Sequence, residues 1–121
     1  MTRPVKTPGP DHPIDLRPAG RALCAACAGS TLARSAHALV MSEAGRPDVV
    51  YFPREDVDFA MLERSATSSW CPYKGEASYF SLRANAGASD VAWSYEAPLP
   101  AMTDIAGRVA FYADKVRIVD A

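Results

Sequence analysis

Val91-Ala92-Trp93-Ser94-Tyr95-Glu96 alternates large and small side chains, so in an extended chain Val91, Trp93 and Tyr95 share one face and Ala92, Ser94 and Glu96 the other. A period of two reads as a strand with both large rings on one side. Upstream, Glu76-Ala77-Ser78-Tyr79-Phe80-Ser81-Leu82-Arg83 behaves in the same way, with Phe80 and Leu82 on one face and Tyr79 on the other. Downstream, Pro98 and Pro100 end the first strand, and Arg108 to Tyr112 and Lys115 to Val119 read as closing strands. Towards the N-terminus, Val49-Val50-Tyr51-Phe52 is a compact strand stopped by Pro53. Before it, Arg21 to Ala28 and Thr31 to Val40 flank Gly29-Ser30, a two-residue hairpin signal. Only Asp56 to Glu63 changes period, with apolar residues at 57, 59, 61 and 62 and Asp56 as N-cap, which predicts one or two short helical turns. The class is mainly β.

Composition agrees with one compact domain. The chain has 121 residues, 49% hydrophobic and 22% charged, enough to bury a core without metal or disulfide staples. A two-domain enzyme is not expected. Residues 1–18, with Pro4, Pro8, Pro10 and Pro13, read as a flexible proline-rich arm, and residues 19–121 as the single domain. Thirteen basic against fourteen acidic residues leave no global field for nucleic acid or an anionic membrane, so any anion site must be local. The three cysteines cannot all pair internally, which favours a reducing compartment. The run Ala22 to Ala28 is too short for a signal-peptide core and reads as a buried strand, and no window approaches the roughly 20 apolar residues of a bilayer span. A soluble, cytoplasmic protein is expected.

Two motifs imitate known chemistry and fail on context. Cys24-Ala25-Ala26-Cys27 has zinc-knuckle spacing, but the second pair of ligands is missing and residues three apart in a strand point to opposite faces. Asp56-Val57-Asp58 has the carboxylate spacing of a magnesium pair, yet it follows Pro53 at a helix start, where capping and solvation explain it. Neither a metal nor a cofactor is expected. His37, among Ala36, Ala38 and Leu39, reads as structural.

Chemistry concentrates in three stretches. Ser69-Trp70-Cys71-Pro72-Tyr73-Lys74-Gly75-Glu76 gathers a thiol, a cation, a carboxylate and aromatics in a tight loop. Lys74 can favour a Cys71 thiolate as nucleophile, or bind a carboxylate or phosphate itself. Tyr51-Phe52-Pro53-Arg54-Glu55-Asp56 offers Arg54 as a planar fork for an oxyanion, or as a brace to Asp56 or Glu76. Trp93-Ser94-Tyr95-Glu96 offers flat rings for a pocket wall or for the core.

These stretches, Tyr51 to Val57, Cys71 to Tyr79 and Trp93 to Leu99, resemble domain-of-unknown-function family 427, and the resemblance runs from about His12 through Ala106 to Tyr112 and Val116. It implies a small bacterial-type protein of β-tent architecture, in which two small antiparallel sheets meet at an angle and leave a cleft. The nucleotidyltransferase label sometimes given to the family brings no residues to transfer, and the paired zinc knuckles of many β-tent proteins have no counterpart here. Where the family usually has Ala-Asp after the first turn, this chain has Ala33-Arg34.

The leading expectation is a cleft that binds, or acts on, a small anionic molecule. Tyr51, Arg54, Asp56, Cys71, Lys74, Glu76, Trp93 and Tyr95 form its site, with Arg54 and Lys74 on the anion, Trp93 and Tyr95 as walls and Cys71 as candidate catalytic residue. The alternative is a noncatalytic interaction module or homodimer that uses the same aromatic surface.

Overall fold

The computed structural model describes residues 3–83 and 89–121. Among these residues the chain is mainly β, with two antiparallel sheets and three short 3-10 turns. Strands β1 (Ile14–Pro18), β4 (Leu39–Glu43), β5 (Val49–Phe52), β6 (Leu62–Cys71), β7 (Gly75–Leu82), β8 (Ala92–Ser94) and β9 (Val109–Phe111) form the large sheet, in the order β1-β4-β5-β9-β8-β7-β6. Strands β2 (Leu23–Cys27), β3 (Ser30–Ser35) and β10 (Arg117–Asp120) form the small one, in the order β10-β2-β3.

The β2–β3 hairpin turns one residue earlier than the dipeptide signal suggests. Ala28 and Gly29 occupy the turn with φ of 52° and 81°, the paired left-handed conformation that a type I′ turn demands, and Cys27 faces Ser30 across its mouth. The stretch from Thr31 to Val40, read as one strand, is two strands in different sheets. Ser35 Oγ accepts from His37 N and turns the chain between them. His37 itself is exposed, and its carbonyl accepts from Arg108.

Of the stretch expected to be helical, Asp56 to Glu63, only Asp56 and Phe59–Met61 are, as parts of two 3-10 turns, Arg54–Asp56 and Phe59–Met61; Val57 between them is extended, and Leu62 and Glu63 begin β6. The capping acid is Asp58, which accepts from Ala60 N, and not Asp56. Strand β6 carries almost no apolar alternation because it is an edge strand with most residues in solvent, held to β7 by backbone pairing. Ile14–Pro18, counted with the arm from the sequence, form β1, with Ile14 and Leu16 opposite Glu43 and Met41.

Alternation gives the large sheet two unlike faces. Its inner face, carrying Phe52, Phe80, Leu82, Ala92, Val109 and Phe111, packs against Leu23, Ala25 and Leu32 of the small sheet. The small sheet is also tied to the 3-10 turns, through the Ala33–Val57 bridge and a hydrogen bond from Asp58 N to Leu32 O. The outer face carries Met41, Tyr51, Ala77, Tyr95 and Ala110. The third turn, Pro100–Ile105, covers part of it with Met102 and Ile105. No helix among the described residues is long and apolar enough to cross a membrane.

Candidate functional site

Strand register builds a row of side chains across the outer face. Tyr51 lies opposite Ala110, Ala110 opposite Trp93, and Trp93 opposite Tyr79. Ala110 is the small member, and over its methyl group Tyr51 and Trp93 meet edge to face with ring centroids 6.5 Å apart. On its far side Trp93 meets Tyr112 at 4.6 Å. Tyr79 OH and Ser69 Oγ are hydrogen-bonded at 2.8 Å.

Above this row lies a cleft of about 700 Å³, lined among others by Tyr51, Cys71, Lys74, Tyr79, Trp93 and Tyr95. Burial raises the phenol pKa values of Tyr51 and Tyr95, the former opposed by the Trp93 indole. Tyr112 is pushed up to about 12, by burial first and by Tyr79 beside it. These walls are therefore uncharged at physiological pH.

The charge in the cleft enters at one end. Gly75 has φ +110°, a conformation that side-chain-bearing residues rarely adopt, which favours glycine where the Cys71–Gly75 loop closes on Pro98-Leu99. Leu99 N donates to Lys74 O at 2.9 Å and fixes the loop. Lys74 is thereby turned into the protein, with a side chain only 7% exposed, and its Nζ donates to Glu43 Oε1 at 2.6 Å. Cys71 Sγ lies 3.8 Å from the same nitrogen.

Glu43 comes from β4, two residues after Met41 and on the same face. Its second oxygen, Oε2, accepts from His12 Nε2 at 2.7 Å and lies 3.8 Å from Arg46 Nε. Burial raises the Glu43 pKa, but the hydrogen bonds from Lys74 and His12 and the charges of Lys74 and Arg46 outweigh it, so the carboxyl stays below its ordinary range. Three cationic or donor groups thus surround one carboxylate.

Of the residues singled out from the sequence, Tyr51, Cys71, Lys74, Trp93 and Tyr95 come together on this cleft, whereas Arg54, Asp56 and Glu76 do not line it. Arg54 donates to Glu96 Oε2 at 3.0 Å and to Gly107 O at 3.2 Å, and its guanidinium covers the Phe59 ring at 4.6 Å. Glu96 also holds Arg64 at 3.1 Å. Arg54 is therefore a brace between loops, sharing the Glu96 carboxylate with Arg64. Asp56 closes the first 3-10 turn and is half-buried, and Glu76 is an exposed β7 residue paired with Arg3 at 3.1 Å. With Asp58 capping the next turn, the two aspartates flank Val57 in turn structure and not on a strand.

Sequence reading missed Glu43, His12, Arg46, Tyr79 and Tyr112. The signal for Glu43 was parity with Met41 and, through the β4–β5 pairing, with Tyr51; merging β3 and β4 into one strand hid it. Cys24 and Cys27 are half-buried free thiols on β2, and among the described residues no group of three His, Cys, Asp or Glu side chains gathers at metal-binding distances.

Compared with family models, the chain matches NTP_transf_9, described as Domain of unknown function (DUF427), over residues 15–121. No curated protein matches it.

Proposed function

The chain belongs to the DUF427 family, and since that family's description names no activity, we propose from the cleft itself that it binds or acts on a small anionic molecule. The aromatic walls take the apolar body of the ligand, and Lys74 takes its carboxylate or phosphate. The observation that carries this reading is the position of Lys74: it is the one buried lysine among the described residues, and it lies on the wall of an aromatic recess. A lysine kept only for solubility would reach into solvent. Cys71, beside Lys74 Nζ, is the candidate nucleophile if the bound molecule is also transformed. The same reading takes residues 19–121, together with β1, as a unit working in the bacterial cytoplasm, where free Cys24, Cys27 and Cys71 stay reduced.

A flat aromatic surface serving a second protein is the competing reading, and a recess of this volume favours the small molecule. Thermal-shift measurements against nucleotides, sugar phosphates and small carboxylates separate the two, because a ligand of the folded state raises its melting midpoint. At least one acid should raise the midpoint of the wild type and of Arg54→Ala but not of the charge-neutral Lys74→Met/Glu43→Gln protein. No shift with any acid, or the same shift in the double variant, defeats the proposal.

A further inference from the structure

In the cleft Lys74 is already engaged by Glu43 Oε1. Although its ammonium has a further N–H to offer, an acid bound beside that carboxylate would set two negative charges against one positive charge, so the favourable arrangement has the acid take that oxygen's place. Displacement is costly if it strands a buried carboxylate, and the Glu43 side chain is 7% exposed. What happens to Glu43 therefore decides whether Lys74 can bind anything.

Of the other partners of Glu43, Arg46 lies on the wall of the recess itself, and the more sheltered one, His12, comes from the N-terminal segment. Residues 3–13 lie along the β6–β7 loop. Arg3 pairs with Glu76 and covers the Trp70 ring at 4.8 Å; Trp70 Nε1 donates to Pro4 O at 2.7 Å; Lys6 N donates to Pro72 O at 2.9 Å. Gly9 and His12 close a turn, after which the His12 ring stacks on Tyr73 with centroids 4.2 Å apart and planes 10° from parallel. This anchored strap brings His12 Nε2 to Glu43 Oε2 at 2.7 Å. An ionised carboxylate only accepts, so the imidazole donates. Arg46 is longer at 3.8 Å and far more exposed, hence more screened.

We propose that His12 is a positioning residue of the cleft: by holding Glu43 Oε2 it allows Lys74 to exchange Glu43 Oε1 for a carboxylate or phosphate oxygen of the ligand. This rests on the anion-binding reading above. In the exchanged state Glu43 keeps His12 and Arg46, Lys74 keeps one full negative partner, and no buried charge is left alone. Without His12, releasing Lys74 would leave Glu43 only its weaker, exposed arginine contact. The strap thus belongs to the site although it precedes the strands that form the walls.

The test measures binding of phenyl phosphate and benzoate, with benzyl alcohol as the neutral probe, to the full chain by titration calorimetry. His12→Ala should weaken both acids about tenfold or more, the scale of a lost charge-assisted hydrogen bond, and leave benzyl alcohol unchanged. His12→Gln, which retains a donor, should recover most of the loss. Glu43→Gln, which frees Lys74, should bind the acids more tightly than wild type, and adding His12→Ala to it should change nothing further. Equal acid binding by wild type and His12→Ala overturns the proposal, as does a loss that persists in the Glu43→Gln background. If neither wild type nor Glu43→Gln takes either acid, the anion-binding reading itself fails and the role of His12 goes with it.

Discussion

The two faces of the large sheet are made by neighbouring residues of the same strands, yet they have opposite chemistry. Phe52, Val109 and Phe111 turn inward to a second sheet, and Tyr51 and Ala110 turn outward to a recess. The inner face is phenyl and aliphatic apart from Ser78 and Ser94, and of these only Ser94 Oγ is buried without a hydrogen-bond partner, so covering the face with another apolar sheet costs few polar groups their water. The outer face carries phenols, an indole, a thiol and an ion pair. A second sheet laid over these would have to satisfy each of them; the third turn covers part of the face, and Ile14 and Leu16 of β1 extend it at its edge. One face can therefore be spent on stability while the other stays open for recognition.

The largest effect expected from breaking this comparison is on the inner face. Phe52→Ala should cost about 3–5 kcal/mol of unfolding free energy, and Trp93→Ala, whose ring already borders open space, about 1–2 kcal/mol. Urea denaturation compares them directly, and equal losses would mean that the outer row is core. Next comes the ion pair. Lys74→Met should cost about 2–4 kcal/mol because Glu43 keeps only His12 and Arg46, and Glu43→Gln added to it should recover a large part of that loss. A double variant no more stable than Lys74→Met would show that the lysine acts through packing alone.

The smallest effect is the acid limb. The Glu43 pKa is lowered in the folded chain, so the stability it contributes is complete above the unfolded carboxylate value of about 4.3 and is lost as pH falls through that value towards the folded one. Denaturation midpoints measured from pH 6 to pH 3 should therefore fall more steeply for wild type than for Glu43→Gln. Parallel profiles would show that the carboxyl is not held as the geometry requires.

Local pattern was enough where a strand has one covered face. The alternations placed Trp93, Tyr95, Tyr79 and Phe80 on the faces they occupy, because a pleat admits only two directions, but Val91, expected on the Trp93 face, precedes β8 and packs in the inner core beside Ala92. Local pattern failed at β6, whose polar residues leave no periodic signal on a solvated edge, and at residues 31–40, where the chain leaves one sheet for the other without a proline or glycine to mark the break. Arg54 was misplaced for another reason: which carboxylate a guanidinium meets depends on distant segments, here Glu96, and chain proximity to Tyr51 carries no information about it.

The sequence by itself determined the β class and the two-faced strands, which follow from residue type and a spacing of two, and it singled out five residues of the cleft by the concentration of chemical groups in three stretches. Only the tertiary structure decided that Glu43, His12 and Lys74 form one chain of contacts. They come from β4, the N-terminal segment and the β6–β7 loop. Their union depends on strand order and on the closure of the Cys71–Gly75 loop against Leu99, which are properties of the packed whole, and no local pattern encodes them.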